Sequence, residues 1–240
     1  MTEPLILAEP ERPFWGFGEV FASAACFWVA INLIAVTARH FLGDRTKLGS
    51  WEVAEEFAAY LVMFGVLKVL FFWQGSPLLP SLGWVKAPFS EVSMVGWGLL
   101  LFFMAVFLQV LLRMPPDTET PFDKAMFGDR YSPFVMTVFG VTAAPVIEEI
   151  WFRGLLQPVL TSATGVFPGI LITSVLFAAM HLAQYAGIWQ SGVVLTAVAF
   201  GFGVIRHITG STRASSVAHI AYNALPFALT LMQGAQPTHK

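Results

Sequence analysis

Residues 92–112 read VSMVGWGLLLFFMAVFLQVLL, a run of 21 residues without a charged side chain. A helix of about 20 mainly apolar residues is long enough to cross the hydrocarbon core of a membrane. Similar runs lie between clusters of proline, glycine and charge at 16–38, 53–73, 133–158, 165–185, 188–208 and 213–233. We therefore predict an all-α, polytopic transmembrane helix bundle of about seven to eight helices, the eighth being short or re-entrant.

The composition agrees with an exterior that faces lipid. Hydrophobic residues make up 56% of the 240-residue chain and charged residues only 12%, against roughly 25% charged in soluble proteins. A formal net charge of −2 with no basic block argues against nucleic-acid binding. The single cysteine, Cys26, excludes an intrachain disulfide. We expect one membrane domain spanning residues 1–240, with membrane lipid as its surroundings.

The polar segments indicate how the chain is organised. Residues 113–132 hold three prolines and several charges, and this segment is predicted to be a loop between two halves. The Lys and Arg residues between the first and second predicted helices, and those between the third and fourth, would lie on the same side of the membrane. The positive-inside rule favours the cytoplasm for that side. On that side lie Arg39, Arg45, Lys47, Arg113, Lys124 and Arg130, and on the opposite side Arg12, Lys86, Arg206 and Arg213. Met1–Pro13 carries three Glu and one Arg, so we expect no cleaved signal peptide there.

Three predicted helices in the second half contain polar residues that a membrane span should not tolerate. They are Glu148, Glu149 and Arg153 in PVIEEIWFRG, His181 in VLFAAMHLA, and His219 with Asn223 in VAHIAYN. A charged side chain near the bilayer centre costs roughly 2.5–3.5 kcal/mol on insertion scales, so such a group indicates a functional site. Glu149 and Arg153 are four residues apart and are predicted to pair, which leaves Glu148 free to face a cavity and bind water.

Each residue also has a simpler structural interpretation. Glu149 and Arg153 would form an ion pair that stabilises a helix, His181 and His219 would be polar contacts between helices, Asn223 would join two helices, and Phe177 would pack in the core. Glu19, Glu55 and Glu56 in the first two helices are interpreted as interfacial, or as lining an entry path. Gly201 and Gly203 are predicted to allow close approach of a neighbouring helix.

The depth of these residues in the membrane raises a difficulty. A helix rises about 1.5 Å per residue. Counted from the predicted helix starts, Glu148 and His219 lie nearer the same face of the membrane, whereas His181 lies deeper toward the other face. The predicted boundaries therefore place His181 apart from Glu148.

The polar residues resemble the motifs of a known family of membrane proteases. Glu148, Glu149, Arg153 and Gly154 match EExxxRG, Phe177 with His181 matches FxxxH, and His219 with Asn223 matches HxxxN. In this order they resemble the CAAX-protease and bacteriocin-processing (CPBP) family of intramembrane peptidases, over roughly residues 145–225. Members of that family trim prenylated CAAX carboxyl ends or are linked to bacteriocin maturation and self-immunity.

The resemblance implies a role for each motif residue. Glu148 would activate the attacking water, with His181, His219 and Asn223 completing the catalytic site by binding water and stabilising the oxyanion. Glu149, Arg153 and Phe177 would support them, so residues 133–233 would carry the catalytic helices. The implied substrate is a peptide or protein, cleaved near or within the membrane. We expect a multi-pass protein of a prokaryotic cytoplasmic membrane.

Other functions remain open on the sequence. Glu148, His181 and His219 are residue types that also bind catalytic zinc in many metallopeptidases. The motif HExxH is absent from the chain, however, and the glutamate-based mechanism of the family that it resembles favours catalysis without a metal. The same three residues would form a proton relay in a small transporter. A non-catalytic scaffold or bacteriocin-immunity protein would bind a partner and have no need of Glu148. Haem ligation by two of the histidines is disfavoured, because neither of them follows a Cys-x-x-Cys sequence.

Overall fold

The computed structural model describes residues 13–43, 49–115 and 119–234, and no β-strand occurs among them. The amino-terminal segment and the loop basic residues Arg45 and Lys47, on which the expectations about a signal peptide and orientation partly depend, lie outside the described residues. The helices are α1 (Phe17–Leu42), α2 (Gly49–Trp73), α3 (Leu78–Ser81), α4 (Glu91–Leu111), α5 (Pro121–Met126), α6 (Ser132–Val141), α7 (Ala143–Glu149), α8 (Gln157–Thr164), α9 (Val166–His181), α10 (Trp189–Thr209) and α11 (Thr212–Gly234).

Six helical segments are long and apolar enough to cross a membrane. They are α1, α2, α4, the composite segment Ser132–Thr164, the segment Val166–Tyr185 and α10. Helix α11 has the length of a span, 23 residues, but its first half is rich in serine, threonine and other polar residues. These helices confirm the predicted all-α fold and make the chain a multi-pass integral membrane protein.

The outer surface of the bundle is apolar. Large side chains such as Phe72, Trp73, Trp28 and Val110 are exposed on α1, α2 and α4. In water such a surface would be costly, whereas against lipid tails it needs no further cover. The exposed apolar residues therefore face lipid, as the composition predicts.

The fourth predicted span is broken into pieces. Helix α6 ends at Val141, and α7 begins at Ala143 because Pro145 lacks the N–H that would continue the hydrogen-bond ladder. A π-helix, Ile150–Leu156, then follows Glu149 directly, and α8 extends the segment to Thr164. The span is thus longer than the predicted 133–158. Short π-helical segments frequently mark functional sites.

Helix α1 and the residues just before it contact this π-helical segment at two points. The indole of Trp15 donates to the carbonyl of Leu155 at 3.0 Å, and the indole of Trp151 donates to the hydroxyl of Ser23 at 3.1 Å. These hydrogen bonds give polar groups a partner where the regular α-helical pattern is interrupted. The first half of the chain therefore stabilises the unusual geometry beside the motif residues.

The interval predicted to be a loop, residues 113–132, contains the short helix α5. Thr120 caps it by accepting from the backbone N–H of Asp123 at 3.2 Å, while the Asp123 carboxylate accepts from the N–H of Thr120 at 2.9 Å. Pro121 occupies the first turn, where its missing N–H has no cost. This reciprocal cap explains why a proline-rich segment forms a helical turn.

Asp129 links the starts of α2 and α6. Its carboxylate accepts hydrogen bonds from the Ser132 hydroxyl, from the backbone N–H of Ser132 at 3.0 Å and from the Ser50 hydroxyl at 3.3 Å. These bonds, above all that from the Ser132 hydroxyl, lower the pKa of Asp129. The two helix starts are thereby held together outside the membrane-spanning segments.

Small residues set the distances between the central helices. A Cβ on Gly201 would lie 2.4 Å from the side chain of Leu101 in α4, and one on Gly203 would lie 2.6 Å from Ile170 in α9. Both contacts are far shorter than van der Waals distance. The predicted close approach of α10 to its neighbours is therefore confirmed.

The closest approach is between α4 and α11. A Cβ on Gly98 would lie 2.1 Å from the carbonyl oxygen of Ala218, the residue before His219. We expect Gly98→Ala to push the two helices apart and to destabilise the fold by about 1–3 kcal/mol, as overpacking does elsewhere. Thermal unfolding in detergent measures this loss.

Gly96 provides the matched control on the same helix, because a Cβ there meets open space. We expect Gly96→Ala to unfold at the wild-type temperature or slightly above it, since alanine has the higher helix propensity. Equal unfolding temperatures for Gly98→Ala and Gly96→Ala would show that the contact at Ala218 does not limit the packing.

Candidate active site

The structure brings together Glu148, His181 and His219 from three different helices. Glu148 Oε1 lies 3.4 Å from His181 Nε2, and Glu148 Oε2 lies 3.8 Å from His219 Nε2. Glu148 is therefore flanked by an imidazole on each side. Each carboxylate oxygen faces a different ring.

The other nitrogen of each imidazole is held by a fixed acceptor. His181 Nδ1 donates to the carbonyl of Phe177 at 2.8 Å, and His219 Nδ1 donates to Glu149 Oε1 at 3.1 Å. A carbonyl and a paired carboxylate can only accept, so the Nδ1 atoms carry the protons. Both rings consequently present Nε2 to Glu148.

Glu149 and Arg153 form the predicted ion pair, with Nη1 of Arg153 2.9 Å from Oε1 of Glu149 and both side chains fully buried. The same oxygen, Oε1, accepts the hydrogen bond from His219. Arg153 also donates from Nη2 to the carbonyl of Ala199 in α10 at 2.9 Å. The pair therefore connects the motif helix both to α10 and to the His219 imidazole.

Aromatic rings fix the orientation of both histidines. Phe177 stacks on His181 with ring centroids 4.4 Å apart, and Phe202 stacks on His219 at the same separation, 4.4 Å. The guanidinium of Arg153 lies 4.7 Å from the centroid of Phe177, a cation–π distance. Phe177 thus contacts both the ion pair and an imidazole. Sequence analysis missed Phe202, because nothing distinguishes this residue from the chain's 22 other phenylalanines.

Asn223 lies one helical turn after His219 but bonds elsewhere. Its Nδ2 donates to the carbonyl of Gly140 in α6 at 2.8 Å. Among the contacts of the described residues, none joins Asn223 directly to Glu148, His181 or His219. The amide carries a second N–H beyond the one that bonds Gly140.

The predicted depth of His181 is wrong, and the broken fourth span explains the error. Because that segment continues to Thr164, Glu148 lies 16 residues before its end, and His181 lies 15 residues after the start of α9 at Val166. The two helices are joined at Gly165, so at about 1.5 Å per residue both side chains lie about 23 Å from that turn. The prediction ended this span too early, at residue 158, and therefore placed Glu148 too near the turn.

Helix α2 carries another polar pair, Tyr60 and Glu56, and for Glu56 the sequence left an interfacial position and an entry path open. The Tyr60 hydroxyl donates to Glu56 Oε1 at 2.9 Å. The sequence holds a signal for this contact only in the spacing of Glu56 and Tyr60, one helical turn apart.

The residue types at the site would suit a metal ion, since Nε2 of each histidine and a carboxylate converge. Their arrangement does not. Across the described ranges, no group of three or more His, Cys, Asp or Glu side chains is placed so that it could hold a metal ion.

A comparison with protein families identifies the region that carries the site. Residues 130–225 match the family model described as type II CAAX prenyl endopeptidase Rce1-like. The matched region includes Glu148, Glu149, His181, His219 and Asn223. No match was found among curated proteins or among solved structures. Over residues 130–225 the chain is therefore similar to the Rce1-like type II CAAX prenyl endopeptidase family, a family of peptidases.

Proposed function

We propose that the protein is an intramembrane endopeptidase in which Glu148 activates a water molecule to hydrolyse a peptide bond near or within the membrane. The observation that supports this most strongly is the position of the Glu148 carboxylate between two imidazoles whose Nδ1 atoms are already bonded. A general base needs a fixed carboxylate within reach of a bound water, and the two rings provide that water with further partners.

The reaction then proceeds through these side chains. Glu148 takes a proton from water while the water oxygen attacks the carbonyl carbon of the substrate. His219 enters the reaction with a proton on both ring nitrogens, so its Nε2–H donates to the oxyanion while the Glu149 carboxylate, 3.1 Å from Nδ1, balances the charge of the ring. The C–N bond breaks as Glu148 returns the proton to the leaving amine.

We assign the remaining roles in the same way. His181 holds the water on the other side of Glu148, and the second N–H of Asn223 donates to the oxyanion. Arg153 and Phe177 are positioning residues, because they act through Glu149 and the histidine rings. Residues 133–233 would then form the catalytic part of a single membrane domain, with α2 closing one side.

The description of the matched family suggests a substrate class. We propose peptides anchored at the membrane, with a prenylated CAAX carboxyl end as the first candidate. A farnesylated CAAX peptide and the same peptide without the lipid would test whether the prenyl group is required.

A cleavage assay in ¹⁸O-labelled water tests the proposed activity on many peptide sequences at once. Purified protein in lipid nanodiscs is incubated with a peptide digest of membrane proteins and with the farnesylated peptide, and products are read by mass spectrometry. Hydrolysis by water places one ¹⁸O atom in each new carboxyl terminus. The absence of new termini from both substrates would contradict the proposal.

Metal removal distinguishes this mechanism from that of a zinc peptidase. Because the proposed steps use only side chains, we expect incubation with EDTA or 1,10-phenanthroline, followed by dialysis, to leave the cleavage rate within about twofold of the untreated protein. The same nanodisc assay measures the rate. Loss of activity on chelation, with recovery on adding zinc, would assign Glu148, His181 and His219 as metal ligands instead.

A further inference from the structure

We propose that Phe202 is a positioning residue whose aromatic face supports the positive charge of the His219 imidazolium while that ring donates to the oxyanion. The inference rests on the proposed function and deepens it, because it assigns part of the oxyanion site to a helix that carries no motif. Phe202 lies in α10, and none of the three motifs EExxxRG, FxxxH and HxxxN includes it.

The ring of Phe202 covers one face of the His219 imidazole. The two ring centroids are 4.4 Å apart and the ring planes differ by only 26°, so the π-electrons of Phe202 face the imidazole directly. Two other rings meet His219 at steeper angles, Phe177 at 5.9 Å and 63° and Tyr222 at 6.5 Å and 60°. Of these three rings, Phe202 alone is stacked on His219.

The charge of the imidazolium needs support from its surroundings. The His219 side chain is only 5% exposed, so water solvates it little. Glu149 Oε1 lies 3.1 Å from Nδ1, but the same oxygen also pairs with Arg153 Nη1 at 2.9 Å. Glu148 Oε2, 3.8 Å from Nε2, is neutralised when it takes the proton from water. Both carboxylates lie at ring nitrogens, whereas Phe202 adds partial negative charge at the face of the ring.

The ring of Phe202 also lies beside a second cation. The guanidinium carbon of Arg153 is 5.6 Å from its centroid, within the range of a cation–π interaction. Arg153 and a charged His219 both contact Oε1 of Glu149, and two like charges repel strongly where little water separates them. An aromatic ring that attracts both cations therefore favours the arrangement in which both are charged.

Packing holds Phe202 in this position. Its side chain is completely buried, and it belongs to a core cluster formed by α4, α10 and α11. The glycines on either side of it, Gly201 and Gly203, allow the close approach of α10 to α4 and α9. Because a completely buried ring does not touch the substrate, we expect changes in its electron density to alter kcat and to leave KM nearly unchanged.

Fluorination of the ring tests the inference with little change of shape, because fluorine withdraws electron density from the aromatic face and weakens its attraction for a cation. Full-length protein in lipid nanodiscs is prepared with monofluoro-, trifluoro- or pentafluorophenylalanine in place of Phe202. The constants kcat and KM are measured with the farnesylated CAAX peptide or, if that peptide is not cleaved, with the peptide of the membrane-protein digest that wild type cleaves fastest.

The matched control is the same fluorinated series at Phe200. This residue lies on the same helix, and its ring packs against Phe167 with centroids 5.6 Å apart. We expect both kinetic constants of the Phe200 series to stay within about twofold of wild type.

We expect kcat to fall stepwise with fluorination at Phe202, with a loss of about tenfold for pentafluorophenylalanine, the size of a cation–π contact in a site with little water. KM should stay within about twofold of wild type. Phe202→Leu, which removes the π face and keeps an apolar side chain, should lose at least as much kcat. Thermal unfolding shows which variants are folded, and if pentafluorophenylalanine prevents folding, the monofluoro and trifluoro variants give the slope.

A double-mutant cycle shows whether Phe202 acts through His219. In the His219→Gln background the ring faces a neutral amide, so fluorination at Phe202 should change the residual rate by less than about twofold. An equal loss of rate in both backgrounds would show that the ring acts through Arg153 or through packing, and would overturn the inference.

Two further results would overturn the inference while leaving the protease activity established. One is an equal kcat across the fluorinated series in folded protein. The other is a loss that appears only in KM, which would show that Phe202 affects substrate binding and not the charge of His219. If wild type cleaves the peptides no faster than Glu148→Gln, the proposed function itself fails, and the inference fails with it.

Discussion

Glu148→Gln lowers the rate of peptide cleavage by about 10²–10⁴-fold, the usual contribution of a general base. Glutamine keeps the size and shape of the side chain, and its amide cannot take a proton from water. The nearby Nε2 atoms of His181 and His219, at 3.4 and 3.8 Å, would still be in place. The measurement is the cleavage rate of one matched peptide by purified protein in nanodiscs.

Thermal unfolding is the control for this variant. Because Glu148 belongs to no buried Arg or Lys pair among the described residues, we expect Glu148→Gln to unfold within a few degrees of wild type. A folded Glu148→Gln that cleaves at the wild-type rate would contradict the assignment of the general base.

Arg153→Ala destabilises the protein by about 3–5 kcal/mol, the cost of leaving one charge of a buried pair without its partner. Glu149 would remain fully buried without the guanidinium that balances it, and α10 would lose its hydrogen bond to Arg153 at Ala199. Activity should fall as well, because Glu149 positions His219. The loss of stability is measured by thermal unfolding in detergent.

Two further variants test whether the loss of stability in Arg153→Ala comes from the buried ion pair. Lys124→Ala breaks the ion pair between Lys124 and Glu119, whose side chains are 65% and 70% exposed, respectively. We expect this variant to change the stability little. The double variant Glu149→Leu/Arg153→Met removes both charges, so we expect it to be more stable than Arg153→Ala while remaining inactive. If Arg153→Ala unfolds at the same temperature as Lys124→Ala, the buried pair does not stabilise the fold.

Most of the helical architecture could be predicted from the sequence. The run at residues 92–112 corresponds to α4, Glu91–Leu111, and the run at 188–208 to α10, Trp189–Thr209. Length and apolar composition decide these elements, because each backbone polar group in lipid must be satisfied within its own helix.

The irregular elements were harder to predict. The break before Ala143 and the π-helix at Ile150–Leu156 depend on partners distant in sequence, such as Trp15, whose indole bonds the carbonyl of Leu155. Helix α5 arises from a local cap in a proline-rich interval that otherwise has the composition of a loop. The fourth span ends at Thr164 and not at residue 158, and this greater length brings Glu148 to the same depth as His181.

The contacts at the candidate site also fall into those that the sequence predicts and those that it does not. The spacing of Glu149 and Arg153 predicts their ion pair, and that of Phe177 and His181 predicts their stacking. The hydrogen bond from His219 to Glu149 joins residues 70 positions apart, and that from Trp151 to Ser23 joins the two halves of the chain. Such contacts depend on how the helices pack, for which no local pattern exists.

The most direct test of the central claim, that Glu148 activates water for peptide hydrolysis, compares protein termini in cells. Membrane and secreted proteins are profiled by mass spectrometry from cells that express wild type or Glu148→Gln at equal levels. We predict that a defined set of new termini appears with wild type and is absent with Glu148→Gln. Identical profiles from the two cell lines would contradict the claim.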